Sequence, residues 1–187
     1  GRMLVTSYEA LRFQKLDLFT VVLRQIGAYI ARAQAQDAVG VLLNGDGNNN
    51  PAEEMNGDSP AALSYDSLVK MWAGLAPFEL NTMLAGTETV KSVLNLTEMK
   101  DAQAGLNFQG TGQMVTPIGA ALIHVPTMAD KVIVAMDKTC ALEMVQAGEL
   151  MTDYDKLIDR QLERASISAV TGFAKIFSDA SKKLTIS

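Results

Sequence analysis

Apolar residues recur at alternating spacings of three and four along one stretch near the start of the chain: Leu16, Phe19, Leu23, Ile26, Ile30 and Ala33. That spacing places them on one face of an α-helix. Val22 and Tyr29 widen the stripe, whereas Arg24, Gln25, Arg32, Gln34 and Gln36 fall on other faces. No proline interrupts the pattern before Pro51, and Asn44-Gly45-Asp46-Gly47 supplies a strong stop. The prediction is a helix from Phe13 to Leu43, roughly 25–30 residues and about 40–45 Å long. It is long for a globular protein, and other elements are expected to lean on it.

Shorter elements follow from the same reading. Met3-Leu4-Val5 within 2–6 predicts a strand. Ser7 before Tyr8-Glu9-Ala10-Leu11 predicts a hydroxyl-capped helix with an acidic first turn. The stretch 44–62 is rich in Asn, Gly, Pro and Asp and predicts a loop and a domain boundary. Ser64 is placed as the cap of a helix over 65–75, with Leu68, Met71, Trp72 and Leu75 facing inward. LNTMLA predicts a buried strand, and Thr87 is placed as the cap of a helix reaching Leu94, with a second short helix over 95–99. Residues 101–112 predict a polar excursion. A strand pair broken by Pro117 and Gly119 is expected over 115–125, a β-rich run over 131–136, and a helix over 138–145. Periodicity leaves 154–171 open between helix and strand, and short strands are expected at 173–177 and 183–186.

Composition narrows the class. The 187 residues suffice for one large domain or two small ones. A net charge of -5 argues against a dedicated nucleic-acid binder. The longest uncharged runs are either short or broken by proline, so no membrane-spanning helix is expected. Cys140 is the only cysteine, so no intrachain disulfide can form. The chain opens Gly1-Arg2-Met3, from which a processed product or fragment is expected.

Candidate chemistry is sparse. His124 is the only histidine and lies in an apolar, strand-like run, which fits a hydrogen-bonded structural role better than a triad or zinc site. Cys140 reads as a small packed residue, not a nucleophile. Asp46-Gly47-Asn48-Asn49-Asn50 has alternating oxygen ligands like the start of a calcium loop. The closing glutamate position falls on Gly57, so a plain turn is the better reading. No phosphate loop or dinucleotide fingerprint occurs. Neither a catalytic set, a cofactor nor a metal is expected. Asp153, Asp155, Asp159, Arg160, Glu163 and Arg164 form a dense run of mixed charge, which suits a solvated face or a surface meeting a copy of itself. The profile is an α+β protein with a structural or assembly role.

The order of these features resembles the major capsid protein of tailed bacteriophages, the Hong Kong 97-type fold that encapsulins share. VTSYEAL is similar to the strand and turn before that family's spine helix, and DAVGVLLNGDG (37–47) to the end of that helix. LNTMLAGTETVKSVLNLTEMKDAQ, GAALIHVPTMADKVIVAMDKTCALEMVQAGEL and DRQLERASISAVTGFAKIF are similar to the segments that follow, in the same order. The resemblance implies long strands over 154–171. It implies a peripheral domain from 1–60 and 148–174, and an axial domain from 61–147 and 175–187. No counterpart of the family's N-terminal arm or extended loop is found, so a C-terminal piece is expected. The implied function is a shell subunit of a tailed phage or prophage, assembling with copies of itself into an icosahedral head around DNA. Its expected place is the virion, after assembly in the bacterial cytoplasm, with no membrane or small-molecule partner. The alternative is an encapsulin-type compartment shell. Asp159, Arg160, Glu163 and Arg164 are the expected subunit-interface residues.

Overall fold

The protein is seen in a computed structural model that describes residues 1–13, 18–55, 62–100 and 114–186; the side chains of Leu11, Phe13, Leu18 and Phe19 are not described. Leu16 and the excursion over 101–112 therefore lie outside the described residues. The chain folds as two compact units, Gly1–Ala35 with Met144–Gly172 and Gln36–Glu143 with Phe173–Ser187.

The first unit joins helices to a three-stranded antiparallel sheet. Strand β1 (Arg2–Ser7) leads into α1 (Tyr8–Phe13), where the Ser7 hydroxyl accepts from Ala10 N at 3.2 Å, the cap that the sequence predicts. The long helix is α2 (Leu18–Asn44), whose 27 residues span about 40 Å. Of the stripe residues whose side chains are described, Ile26 and Ile30 are buried and Leu23 and Ala33 half-buried, as their spacing requires. The sheet order is β1-β8-β7, with β7 (Met151–Leu157) and β8 (Leu162–Ser168) forming a hairpin. The open choice at 154–171 thus falls to strands, as the resemblance implies. Leu4, Ala165 and Tyr154 are register partners and share one face. Ala165 is buried there, and Arg2 on the same face lays its guanidinium 4.2 Å from the Tyr29 ring of α2.

The second unit is built on a five-stranded sheet of order β2-β10-β5-β3-β4. Its strands are β2 (Glu53–Glu54), β3 (Thr82–Ala85), β4 (Ala121–His124), β5 (Val132–Met136) and β10 (Ser181–Thr185). Helices α3 (Tyr65–Gly74), α4 (Thr87–Leu94) and α5 (Thr97–Lys100) complete it. Alternation along the strands sends Met83, Ile133 and Ala135 into one cluster with Leu68, Met71 and Val93, and Leu84 and Val134 into another with Val39 and Leu42 of α2. With both faces covered, β3 is buried at every position, which explains why LNTMLA carries no alternation. Strands β6 (Leu142–Gln146) and β9 (Thr171–Lys175) pair with each other and contribute residues to both units.

Several local expectations are corrected. Trp72 does not face inward; it is 55% exposed. Ser64 does cap α3, accepting from Ser67 N at 3.3 Å, but α4 is preceded by Gly86 with no side-chain cap, and Thr87 is its first residue. A Cβ on Gly86 would lie 2.7 Å from the Met128 carbonyl oxygen, so the close chain approach there excludes a larger cap. The helix expected over 138–145 is instead a turn followed by β6. Of the strand pair expected over 115–125, β4 forms, and Val115 makes a single bridge to Ala121 across the turn.

Candidate assembly surfaces

The residues with ordinary catalytic potential are held in structural roles. His124 stands exposed at the end of β4 and shares a 2.9 Å hydrogen bond with the Thr87 hydroxyl. Cys140 is half-buried, and its thiol is pushed up from the usual range, chiefly by burial, which disfavours the thiolate. Among the described residues no three potential ligands cluster closely enough to hold a metal ion, and no helix is long and apolar enough to cross a membrane.

Two carboxylates act as pins inside the second unit. Asp137 follows β5 and is 7% exposed. Its Oδ1 accepts from the Thr139 hydroxyl at 2.6 Å, Thr139 N at 3.0 Å and Asn81 Nδ2 at 2.7 Å, and its Oδ2 accepts from Glu79 N at 3.3 Å. These bonds, the Thr139 hydroxyl first, hold its carboxyl far below the ordinary range against the opposing cost of burial. The net fixes the turn after β5 and the entry to β3. Asp46 ends the stretch DAVGVLLNGDG in the same manner. It accepts from Asn48 N at 3.2 Å and from Lys175 N at 3.1 Å, while its own N–H donates to Asn50 Oδ1 at 3.0 Å. Gly45 has φ +87°, and a Cβ there would lie 2.7 Å from Asn50 Oδ1, so this turn needs glycine. The calcium-like motif is thus a turn closed by its own side chains. Lys175 is buried, and its Nζ finds no hydrogen-bond partner among the described residues. Burial pulls that amine down from its usual value, partly offset by the Asp46 and Asp179 charges.

The mixed-charge run does not form one patch. Asp159 and Arg160 sit in the 3-10 turn at the tip of the β7–β8 hairpin, with Arg160 Nε 3.8 Å from Asp159 Oδ2 and both side chains 73% exposed. Ile158 beside them is 80% exposed. Gln161 closes the turn at φ +52°, and its carbonyl accepts from Tyr8 N at 3.0 Å. Glu163 and Arg164 are neighbours on one strand and so point to opposite faces. Glu163 lies on the face of Ala165, accepts from the Tyr154 hydroxyl and pairs with Lys156 Nζ at 3.2 Å. Its side chain is only 16% exposed. Arg164 lies on the other face, paired with Asp155 across the strands and bordering a depression of about 210 Å³ that Met3, Asp153 and Ser166 also line. Sequence density located the run, but only the register separates an internal pair from two outward ones.

What the sequence reading missed is apolar. The first unit exposes Met3, Val5, Val21, Met144, Val145, Leu150, Met151, Ile158 and Val170, each about half exposed or more. Exposed apolar residues mark contact with other molecules where they form a contiguous patch.

The phage capsid protein family matches residues 1–174. The chain belongs to that family. Membership makes it a structural shell subunit. No curated protein matches it. Among solved structures it is similar to the capsid of a native GTA particle, with a TM-score of 0.74 and 17% identity over 100% of this chain and 71% of that one. It is also similar to Mycobacterium phage Che8, with a TM-score of 0.71 and 12% identity over 98% of this chain and 68% of that one. An encapsulin from Synechococcus elongatus gives a TM-score of 0.66 and 14% identity over 98% and 71%. At these identities the likeness is one of fold, and the fold is the Hong Kong 97-type shell fold that the sequence implied.

Proposed function

We propose that copies of this capsid protein tile an icosahedral phage or prophage head around DNA, with the first unit as the peripheral part of each tile and the second as the axial part. The supporting observation is the split between the units: among the described residues the second buries most of its apolar side chains, whereas the first leaves most of its own exposed. Such a surface is satisfied when neighbours cover it, and repeated heterologous contacts close into a shell. Asp159, Arg160 and Arg164 would set register between neighbours, because mixed charges steer and discriminate more than they bind. Glu163 would serve them indirectly, by holding Tyr154 and Lys156. The assembled product belongs in the virion, formed in the bacterial cytoplasm.

The test is expression of the whole protein followed by sedimentation and electron microscopy. Closed particles with the second unit around the symmetry axes are expected. Reversing Arg160 and Arg164 together to Glu should abolish them while leaving a folded subunit. Particles that persist unchanged would remove these side chains from the interface. The second reading, a compartment shell, is favoured only by the encapsulin likeness. Particles that carry a protein cargo and no nuclease-protected DNA would decide for it.

A further inference from the structure

Helix α3 is apolar on two sides. Leu68, Met71 and Leu75, the last just past the helix end, are fully buried in the core of the second unit. On another side Val69 and Trp72 are 36% and 55% exposed, and Ala73 and Ala76 are exposed with them. The buried side anchors the helix, so the indole of Trp72 projects from a fixed support. Large aromatic side chains held in this way dominate binding energy at interfaces. Trp72, Ala73, Ala76, Phe78, Glu79 and Leu80 border an open cavity of about 580 Å³.

A second depression lies on the same unit and shares no lining residue with the first. It has a volume of about 330 Å³, walls from Val90, Leu94 and Met114, and Lys91 and His124 among its polar lining. That is near the lower end of the range for small-molecule pockets, about 300–1,000 Å³, and fits one large side chain. The charges are complementary: the tryptophan surface carries exposed Glu79, and the depression carries exposed Lys91. Among the described residues Lys91 pairs with its helix neighbour Glu88, at 3.2 Å and in solvent, a pairing worth little. The other charges of α3, Asp66 and Lys70, neutralise each other at 3.1 Å. Copies of a chain with net charge -5 repel at long range, and a contact that joins apolar insertion to local opposite charges offsets that repulsion.

We propose that Trp72 of one copy seats in the α4–β4 depression of a second copy, with Glu79 beside Lys91. Knob and hole are different surfaces, so the contact is heterologous and propagates from copy to copy, as a ring or shell requires. The proposal rests on the shell reading above, because the occupant is another subunit.

Trp72 is the only tryptophan among these 187 residues, so in whole protein whose tryptophans outside this stretch are replaced by phenylalanine its fluorescence reports this site. In whole-protein particles, compared with dissociated subunits, its emission should shift to the blue and acrylamide quenching should fall several-fold. In whole protein cleared of its other cysteines, Cys140→Ser among them, and carrying Glu79→Cys and Lys91→Cys, a short bis-maleimide should give a ladder of covalent multimers from particles, and each single-cysteine control should stop at dimers or below. Particles whose Trp72 stays as quenchable as in free subunits overturn the docking. Particles whose Trp72 is shielded but which give no ladder also overturn it, by assigning the surface to another component. A wild-type protein that forms no particles at all fails the shell reading first and takes the docking with it.

Discussion

The two units solve the problem of apolar surface in opposite ways. The second covers both faces of its sheet, with α3 and α4 on one side and the end of α2 on the other. The first has one sheet, the long helix as far as Ala35 and few buried apolar side chains: among the described residues, Ile26, Ile30 and Ala165. At about 25 cal/mol per Å² of apolar surface removed from water, these three side chains contribute little against the entropy of ordering the chain. Its outward apolar residues hold that missing burial in reserve. On the proposed shell reading, the second unit folds on its own side chains and the first gains order from neighbours. Substitutions in the two units should therefore separate stability from assembly.

The largest stability effect is expected in the second unit's core. Leu68 is fully buried against Met71 and the sheet, so Leu68→Ala should cost about 2–5 kcal/mol. Chemical denaturation followed by Trp72 fluorescence reads it on the same helix. A loss below about 0.5 kcal/mol would contradict a close-packed core at this position. Next comes Asp137→Asn. The amide keeps the shape but loses the charge and half the acceptor capacity that serves Thr139, Asn81 and Glu79, at a cost of about 2 kcal/mol at neutral pH. The pH dependence fixes the sign. The folded-state pKa of Asp137 lies below the unfolded value of 3.8, so its stabilisation is complete above that unfolded value and is lost as pH falls towards the folded one. The gap between wild type and Asp137→Asn should therefore narrow below about pH 4. A gap that stays constant to pH 2 would show that the charge is not what the net requires.

Most of the architecture was legible because it depends on local pattern. A 3.6 period marked α2, and Ile26 and Ile30 lie where it puts them. The hydroxyl of Ser7 marked the start of α1, and the short run LNTMLA marked β3. The misreadings share a cause: the deciding partner is remote. The stretch after Lys138 has a helical pattern, but Asp137 binds Asn81, 56 residues away, and the backbone turns there instead. Trp72 falls one position past Met71, about 100° round the helix, and nothing local reveals that the core ends between them. The candidate site was half legible. Charge density over 153–164 was visible, but the faces of Glu163 and Arg164 follow from pairing with β1 and β7. The apolar reserve of the first unit was invisible in composition, because exposed and buried methionines and valines read alike.

The smallest stability effect tests the comparison most directly. Ile158 at the hairpin tip is 80% exposed, so Ile158→Ser removes no burial within the subunit, and its denaturation midpoint should move by less than about 0.5 kcal/mol. The turn geometry should survive, because Gln161 holds the left-handed position and the bond from Tyr8 N to its carbonyl uses backbone atoms alone. If the tip is covered by a neighbour, the same substitution should reduce the yield of closed particles at a given subunit concentration, measured by sedimentation, and Ile158→Leu should restore it. Hydroxyl for hydrocarbon at a buried contact costs energy only where water is excluded, so the two readouts separate a covered tip from a solvated one. A serine variant that assembles as well as wild type would mean that the tip stays in water, and the first unit's reserve would then have to reside on its strands, around Met3, Val5 and Met151. A variant that loses stability in the free subunit would instead give Ile158 an internal role and weaken the division between a unit that folds alone and one that waits for neighbours.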